Sequence, residues 1–172
     1  MNAEDLKAMQ APIKDRYKQD AGAAKITLHA TGDVSGDGLV CRVDTAKAII
    51  DAGLHPLTGG DGMQACSGDM LLQALVACAG VTLKAVATAL GLPLRGGQVK
   101  AEGDLDFRGT LGVAKDAPVG FSAIRLSFEI DADITEEQRA TLLKLTERYC
   151  VVYQTLRAAP PVAVELKTLA SA

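Results

Sequence analysis

One long apolar segment constrains the fold of this chain more than any other feature. From residue 70 to residue 94 the sequence is nearly long and apolar enough to span a bilayer, but the polar residues Gln73 and Lys84 interrupt it. A buried helix fits these interruptions better than a membrane span does. We therefore expect this segment to form the central helix of a folded domain, and we expect no membrane partner.

The ends of this helix can be predicted from the residues that flank it. Ser67 is a plausible N-cap, and Asp69 lies in the first turn, where the helix dipole favours an acidic side chain. Gly91 and Pro93 predict the end of the helix. The helix is apolar around most of its circumference, which is not typical of a surface helix. Because one domain of this size would struggle to enclose it, we predict a homodimer in which a second copy covers it.

The other segments predict an α+β fold. An N-terminal amphipathic helix, interrupted or kinked at Pro12, precedes a β-hairpin; two strands, a second helix and a closing strand follow the central helix. The second helix should begin at Thr135, which forms a capping-box pattern with Gln138. The predicted ranges are 2–20, 25–30, 39–44, 98–107, 121–131, 135–150 and 162–167. This order argues against a doubly wound parallel sheet. We predict a helical appendage (1–24) and one domain (25–172).

Composition excludes several classes of partner. The net charge is −3, the apolar fraction is 48%, and acids and bases are interspersed, as in an ordinary globular protein. No stripe of Lys and Arg with aromatic residues between them is present, so we expect no nucleic-acid partner. The N-terminus carries acids and no apolar segment typical of a secretory signal, which predicts a cytoplasmic protein.

The four cysteines are the main candidates for chemistry. In a cytoplasmic protein they should be reduced thiols, and no C-x-x-C pair is present, so structural zinc is not expected. The two histidines stand apart from the cysteines and are interpreted as ordinary residues. We predict no metal and no cofactor. The residues concerned are Cys41, Cys66, Cys78, Cys150, His29 and His55.

Position alone leaves the role of each thiol open. Cys78 lies in the middle of the central helix, where a cysteine is more often a small buried apolar residue than a reactive one. Cys150 lies where the second helix ends, so the dipole should raise the pKa of its thiol, which suits a resolving partner. Cys66 precedes a helix N-terminus and is an alternative reactive thiol. Cys41 lies in a predicted strand and is interpreted as structural.

Two segments together resemble a known family. Residues 71–83 read LLQALVACAGVTL and residues 147–156 read ERYCVVYQTL. They are similar to the LLxALxxCxxxTL helix and the CPVxxTL segment of the osmotically inducible protein C and organic hydroperoxide resistance (OsmC/Ohr) family. The resemblance covers residues 25–167. It implies an intertwined homodimer in which antiparallel sheets enclose two central helices, with active sites at the subunit interface.

The resemblance also implies a thiol-dependent peroxidase. Cys78 would attack an organic hydroperoxide as a thiolate and become a sulfenic acid, and Cys150 would condense with it to a disulfide. A cellular dithiol would then reduce the disulfide.

The sequence departs from the family pattern at three places. Peroxidase members carry an arginine in a turn of the first hairpin, whereas residues 34–38 contain none; Arg42 is the nearest in sequence. Asp69 takes the place of a glutamate, and an ideal helix separates it from Cys78 by about 13 Å along the axis. Val151 replaces the proline that follows the second cysteine.

These departures leave two hypotheses. The first is an enzyme in which Arg42, Arg16 or Arg148 replaces the missing arginine. The second is a non-catalytic or sensing dimer that binds a small lipophilic molecule at its interface. The cysteine pair favours the first hypothesis, and the missing arginine favours the second.

Overall fold

The chain folds into a mixed α+β structure, as predicted, and the structure contains two small sheets in its described residues. The computed structural model describes residues 2–25, 27, 31–33, 40–44 and 49–168, and for residues 18, 21, 22, 31–33 and 40–44 it describes the backbone alone. The helices and strands are α1 (Ala3–Gln19), β1 (Thr31–Asp33), β2 (Val40–Asp44), β3 (Ile49–Gly53), β4 (Ala65–Cys66), α2 (Ser67–Ala89), β5 (Leu94–Asp104), α3 (Phe107–Thr110), β6 (Ala123–Ala132), α4 (Glu136–Tyr149) and α5 (Val151–Arg157).

The two sheets differ in topology. Strands β1 to β4 form one sheet in chain order, antiparallel except that β4 runs parallel to β3. Strands β5 and β6 form an antiparallel pair, from Leu94 opposite Ala132 to Asp104 opposite Ala123. In β6 the predicted apolar face is confirmed, because its alternate side chains are half-buried and those between them are exposed. The half-buried side chains include Ile124, Leu126, Phe128 and Ile130.

The predicted N-terminal helix is present as α1. The Asn2 side chain accepts the backbone N–H of Asp5 at 2.8 Å, and the Asp5 carboxylate accepts the N–H of Asn2 at 3.1 Å. Pro12 lies inside α1, which continues through it without interruption. Leu6 is buried and α1 contacts α2. The division of the chain into an appendage and a domain remains a prediction.

Helix α2 ends where Gly91 predicts. Gly91 adopts a left-handed conformation with φ of 66°, and Leu92 donates to the carbonyl of Ala87 at 2.9 Å, as in a Schellman motif. The predicted N-cap is wrong by one residue, since Ser67 is the first helical residue and Cys66 is the N-cap. Pairing of Cys66 with Gly53 keeps Cys66 extended, so the helix starts directly after it.

The core forms where α2 packs against α4. The predicted capping box is confirmed: Gln138 donates its N–H to the Thr135 hydroxyl at 3.2 Å, and the Gln138 side chain accepts the N–H of Thr135 at 2.9 Å. Leu142 of α4 then packs against the buried residues of α2, with half-buried side chains of β5, β6 and the flanking loops around them. The α2 residues of this cluster are Leu83, Val86 and Ala87.

By length and composition, α2 is the one helix among the described residues that could cross a membrane. The core helix of a soluble protein meets the same criterion, and α2 contacts α1, α4, α5, β4 and β5. The packing therefore fits the predicted central helix of a folded domain.

Two predicted strands differ from the structure. The closing strand at 162–167 is wrong, because these residues lie in no described strand, and the side chain of Val164 is 91% exposed. None of the strands in the described residues pairs with this segment, and an alternating pattern without a partner strand does not form a sheet. Strand β5 starts earlier than predicted and ends at Asp104, and the Asp106 carboxylate then caps α3 by accepting the N–H of Arg108 at 3.0 Å. Strands β3 and β4 and helices α3 and α5 have no counterpart in the predicted order.

Of the first predicted hairpin, the second strand is confirmed as β2, whereas β1 lies between the two predicted strands, where a turn was expected. Strands β1 and β2 pair antiparallel, with Asp33 opposite Arg42. The predicted first strand at 25–30 falls mostly outside the described residues. The turn at 34–38 and His29 also lie outside them, as do the side chains of Cys41 and Arg42.

Candidate active site

Cys78 lies at the edge of the buried face of α2. On one side of it Leu75 and Ala79 are buried, and on the other Ala74 and Val81 are exposed. Cys78 itself is half-buried. The thiol therefore stands at the boundary between the protein core and the exposed apolar face of the helix.

Cys150 lies near the Cys78 thiol because it is the residue at which α4 ends and α5 begins. Its N–H donates to the carbonyl of Thr146 as the last bond of α4, and its carbonyl accepts the N–H of Gln154 as the first bond of α5, both at 3.0 Å. The residue is extended, with φ of −74° and ψ of 108°, so the chain turns between the helices. Both helices pack on α2, and the Cys150 thiol is buried and within hydrogen-bonding reach of the Cys78 sulfur.

Hydrogen-bond donors make Cys78 the more acidic thiol. Burial raises the pKa of Cys78, but donors around the sulfur outweigh it and lower the pKa below its ordinary value. In order of effect, these donors are the N–H of Val152, the thiol of Cys150, the N–H of Val151 and the hydroxyl of Thr82. The first N–H groups of a helix have no partner within it, so those of α5 are available to a thiolate.

Cys150 is shifted in the opposite direction. Burial raises the pKa of the Cys150 thiol, and its hydrogen bond to Cys78 and the charge of the Cys78 thiolate raise it further. The N–H groups of Tyr153 and Val152 lower this pKa and only partly offset the increase. The pair therefore consists of an activated thiol and a protonated neighbour that donates to it.

Thr82 has one hydroxyl proton and two possible acceptors. Its hydroxyl donates to the backbone carbonyl of Cys78 at 2.8 Å. The same hydroxyl is among the groups that lower the pKa of the Cys78 thiol. Since one proton serves one acceptor at a time, the carbonyl bond describes the resting arrangement, and a bond to the thiolate requires the hydroxyl to rotate.

The predicted charged residues either lie apart from the thiol pair or, in the case of Arg42, are described by their backbone alone. Asp69 is exposed in the first turn of α2, and nine residues of continuous helix separate it from Cys78, about 13 Å along the axis. The Arg42 backbone pairs with Asp33 and Asp51 in the first sheet. Arg148 stands over the ring of its neighbour Tyr149, at 5.6 Å from the ring centroid.

Arg16 makes the same kind of contact with Tyr17 on α1, at 5.5 Å. In the described part of the chain, the groups that lower the pKa of Cys78 are therefore neutral donors rather than an arginine.

Cys66 lies far from this pair. It is half-buried at the start of α2, and its sulfur lies beside Gly68. Twelve residues of helix place Cys66 about 18 Å from Cys78 along the axis. The structure thus brings Cys150, and not Cys66, to Cys78.

The described residues offer no metal site. Among them no group of three His, Cys, Asp or Glu side chains could hold an ion. His55 accepts the N–H of Leu57 through its Nδ1 at 3.1 Å and stacks on Phe107, which fits an ordinary loop residue.

The comparisons identify the family. A sequence model of OsmC-like proteins matches residues 60–165, which include both cysteines and most of the elements around them. The chain belongs to the OsmC-like protein family. The predicted resemblance is thereby confirmed, and no curated protein matches the sequence significantly.

Solved structures support the same fold. An OsmC-like protein from Mycoplasma pneumoniae superposes with a TM-score of 0.65 at 17% identity, covering 78% of this chain and 90% of that one. An organic hydroperoxide resistance protein OsmC from Legionella pneumophila gives 0.60 at 16% identity, covering 77% and 90%. An organic hydroperoxide resistance protein from Elizabethkingia anophelis gives 0.55 at 15% identity, covering 78% and 91%. At these identities the likeness shows the fold.

Sequence reasoning missed the N–H donors of Val151 and Val152. The sequence after Cys150 carries no clear signal for them, because α5 is only seven residues long. Thr82 had a clearer signal, because it lies one helical turn after Cys78 on the same face.

Proposed function

We propose that the protein is a thiol-dependent peroxidase that reduces organic hydroperoxides. The observation that carries this proposal is that Cys150, buried at the start of α5, lies within hydrogen-bonding reach of Cys78, and that the pKa of Cys78 is lowered while that of Cys150 is raised. A thiolate is the nucleophilic form of cysteine, and a lowered pKa increases its share at neutral pH. Family membership supports the proposal, because relatives of the same fold are named hydroperoxide resistance proteins.

The proposed reaction has three steps. The Cys78 thiolate attacks the outer oxygen of the hydroperoxide, the O–O bond breaks, and the leaving alkoxide takes a proton to become an alcohol. Cys78 is then a sulfenic acid. The Cys150 sulfur attacks the sulfenic sulfur, which forms the disulfide and releases water. A dithiol reductant transfers two electrons to the disulfide and restores both thiols.

The active form is proposed to be a homodimer of the family's intertwined type. One face of α2 stays exposed in the single chain although it is apolar, with Leu71 exposed by 39% and Val81 by 70%. A second copy would cover this face next to Cys78, and an obligate interface of this kind buries more than about 2,000 Å² in total. We place this dimer in the cytoplasm, where dithiol reductants keep cysteines reduced.

A non-catalytic binding protein is the second candidate. The observation that favours it is that the groups lowering the pKa of Cys78 are neutral, so the thiolate has no counter-charge among the described side chains. In this case the apolar surface beside the thiols would hold a lipophilic molecule without turnover.

Single-turnover kinetics separate the two candidates. The reduced protein is mixed with one equivalent of cumene hydroperoxide, and cumyl alcohol and free thiols are counted. The proposal predicts one alcohol formed and two thiols lost per chain. Cys78→Ser should abolish both, whereas Cys66→Ser, the matched control, should change neither. No alcohol from the wild type would favour the binding protein.

A further inference from the structure

One proton in the proposed reaction has no assigned source. When the Cys78 thiolate attacks the outer oxygen of an alkyl hydroperoxide, the O–O bond breaks and the inner oxygen leaves as an alkoxide. An alkoxide is a strong base, so it leaves faster when an acid protonates it while the bond breaks. The group that supplies this proton must carry an ionisable hydrogen close to the Cys78 sulfur.

Among the described residues, four groups donate to this sulfur, and one of them is an acid. They are the N–H groups of Val151 and Val152, the hydroxyl of Thr82 and the thiol of Cys150. A backbone amide and a threonine hydroxyl donate hydrogen bonds but keep their protons near neutral pH, whereas a thiol ionises with an ordinary pKa of about 8.5. The Cys150 thiol is therefore the one acidic proton that these donors offer.

The position of Cys150 suits proton donation better than direct attack on a peroxide. Cys150 is fully buried, whereas Cys78 is half-buried, so a hydroperoxide meets Cys78 rather than Cys150. Helices α4 and α5 both hold Cys150 through its backbone, and its thiol donates to the Cys78 sulfur. Burial and the neighbouring thiolate raise the pKa of Cys150, which keeps its proton in place until a substrate reacts.

Attack on the hydroperoxide moves the negative charge that attracts this proton from the Cys78 sulfur to the leaving oxygen. We propose that the Cys150 thiol is the general acid of the reaction and transfers its proton to the leaving alkoxide. The products of this step are the alcohol, the sulfenic acid of Cys78 and the thiolate of Cys150. The Cys150 thiolate then attacks the sulfenic sulfur, forms the disulfide and expels hydroxide, which takes a proton from solvent. The inference rests on the proposed peroxidase function and explains how Cys150 becomes the nucleophile of the second step.

Two peroxides of similar size separate proton donation from activation of Cys78. Cumene hydroperoxide and perbenzoic acid both carry a phenyl ring, but the first releases an alkoxide that needs a proton and the second releases benzoate, a weak base. The reduced, full-length protein is mixed with each peroxide and quenched with an alkylating agent, and unreacted Cys78 is counted by mass spectrometry. Cys150→Ala and Cys150→Ser should lower the ratio of the cumene hydroperoxide rate to the perbenzoic acid rate about 100-fold, because neither side chain carries an acidic proton.

The ratio isolates the acid because weaker ionisation of Cys78 slows both peroxides by the same factor, and the perbenzoic acid reaction checks that each variant is folded. Thr82→Val is the matched control: it removes another donor to the sulfur but no acidic proton, so the ratio should stay unchanged. An unchanged ratio in both Cys150 variants, or a lowered ratio in Thr82→Val, would overturn the inference and leave the peroxidase function standing. A wild type that forms no cumyl alcohol would overturn the peroxidase proposal, and the inference with it.

Discussion

The N–H of Val151 offers a direct test of how Cys78 is activated. Val151→Pro removes this donor and leaves the other hydrogen-bond donors to the Cys78 sulfur in place. The backbone tolerates the change, because proline is favoured at the first position of a helix and requires an extended residue before it. Cys150 already has that conformation, with φ of −74° and ψ of 108°. Val151→Ala keeps the N–H and is the matched control.

The expected effect follows from the strength of one hydrogen bond to a charged group. Such bonds contribute roughly 1.5–3 kcal/mol, and the lower end applies to the half-buried Cys78. One tenfold step in ionisation corresponds to about 1.4 kcal/mol, so the thiolate fraction below the pKa should fall about tenfold. Alkylation of Cys78 by iodoacetamide, followed by mass spectrometry at several pH values, measures this change. Equal alkylation rates in the proline and alanine variants would refute the role of the Val151 N–H.

Three further predictions test the site, the core and the assembly. Because the Cys150 thiol donates to the Cys78 thiolate, Cys150→Ala should move the alkylation midpoint of Cys78 to higher pH, while Cys150→Ser should keep it nearer the wild type; identical midpoints would argue against this donor. Leu142→Ala should lower the free energy of unfolding by about 2–5 kcal/mol in urea melts. The control Leu143→Ala, at a neighbouring side chain that is 43% exposed, should lower this free energy by well under half as much. Leu71→Asp should convert the proposed dimer to a monomer in light scattering at micromolar concentration, and a wild type that is already monomeric would contradict the dimer.

Local signals in the sequence predicted the end of α2 and the start of α4 well. Thr135 with Gln138 and Gly91 mark helix ends through hydrogen bonds made within a few residues, so their outcome depends little on the rest of the fold. The alternation in β6 was also informative, because one face packs on the core. The segment at 162–167 has the same alternation but pairs with none of the described strands, and periodicity alone does not reveal whether a partner strand exists.

The site was predictable in part. The resemblance paired Cys78 with Cys150, and the structure places the two thiols within hydrogen-bonding reach of each other. The direction of activation depends on how the chain turns at Cys150. If Cys150 is considered only as the end of α4, the helix dipole at this position disfavours a thiolate. Because α5 starts at the same residue, the N–H groups of Val151 and Val152 instead face the Cys78 sulfur. A short helix of seven residues leaves too weak a pattern for its first N–H groups to be located from sequence.

The central claim is that Cys78 and Cys150 act as one redox pair. The most direct measurement is a peptide map of the protein after treatment with one equivalent of an organic hydroperoxide, with free thiols blocked before digestion. If the two thiols act as a pair, the map should contain a single disulfide that joins the peptides containing Cys78 and Cys150 and is lost on addition of a dithiol. A disulfide from Cys66, or oxidation of Cys78 to sulfinic acid while Cys150 stays a free thiol, would contradict it.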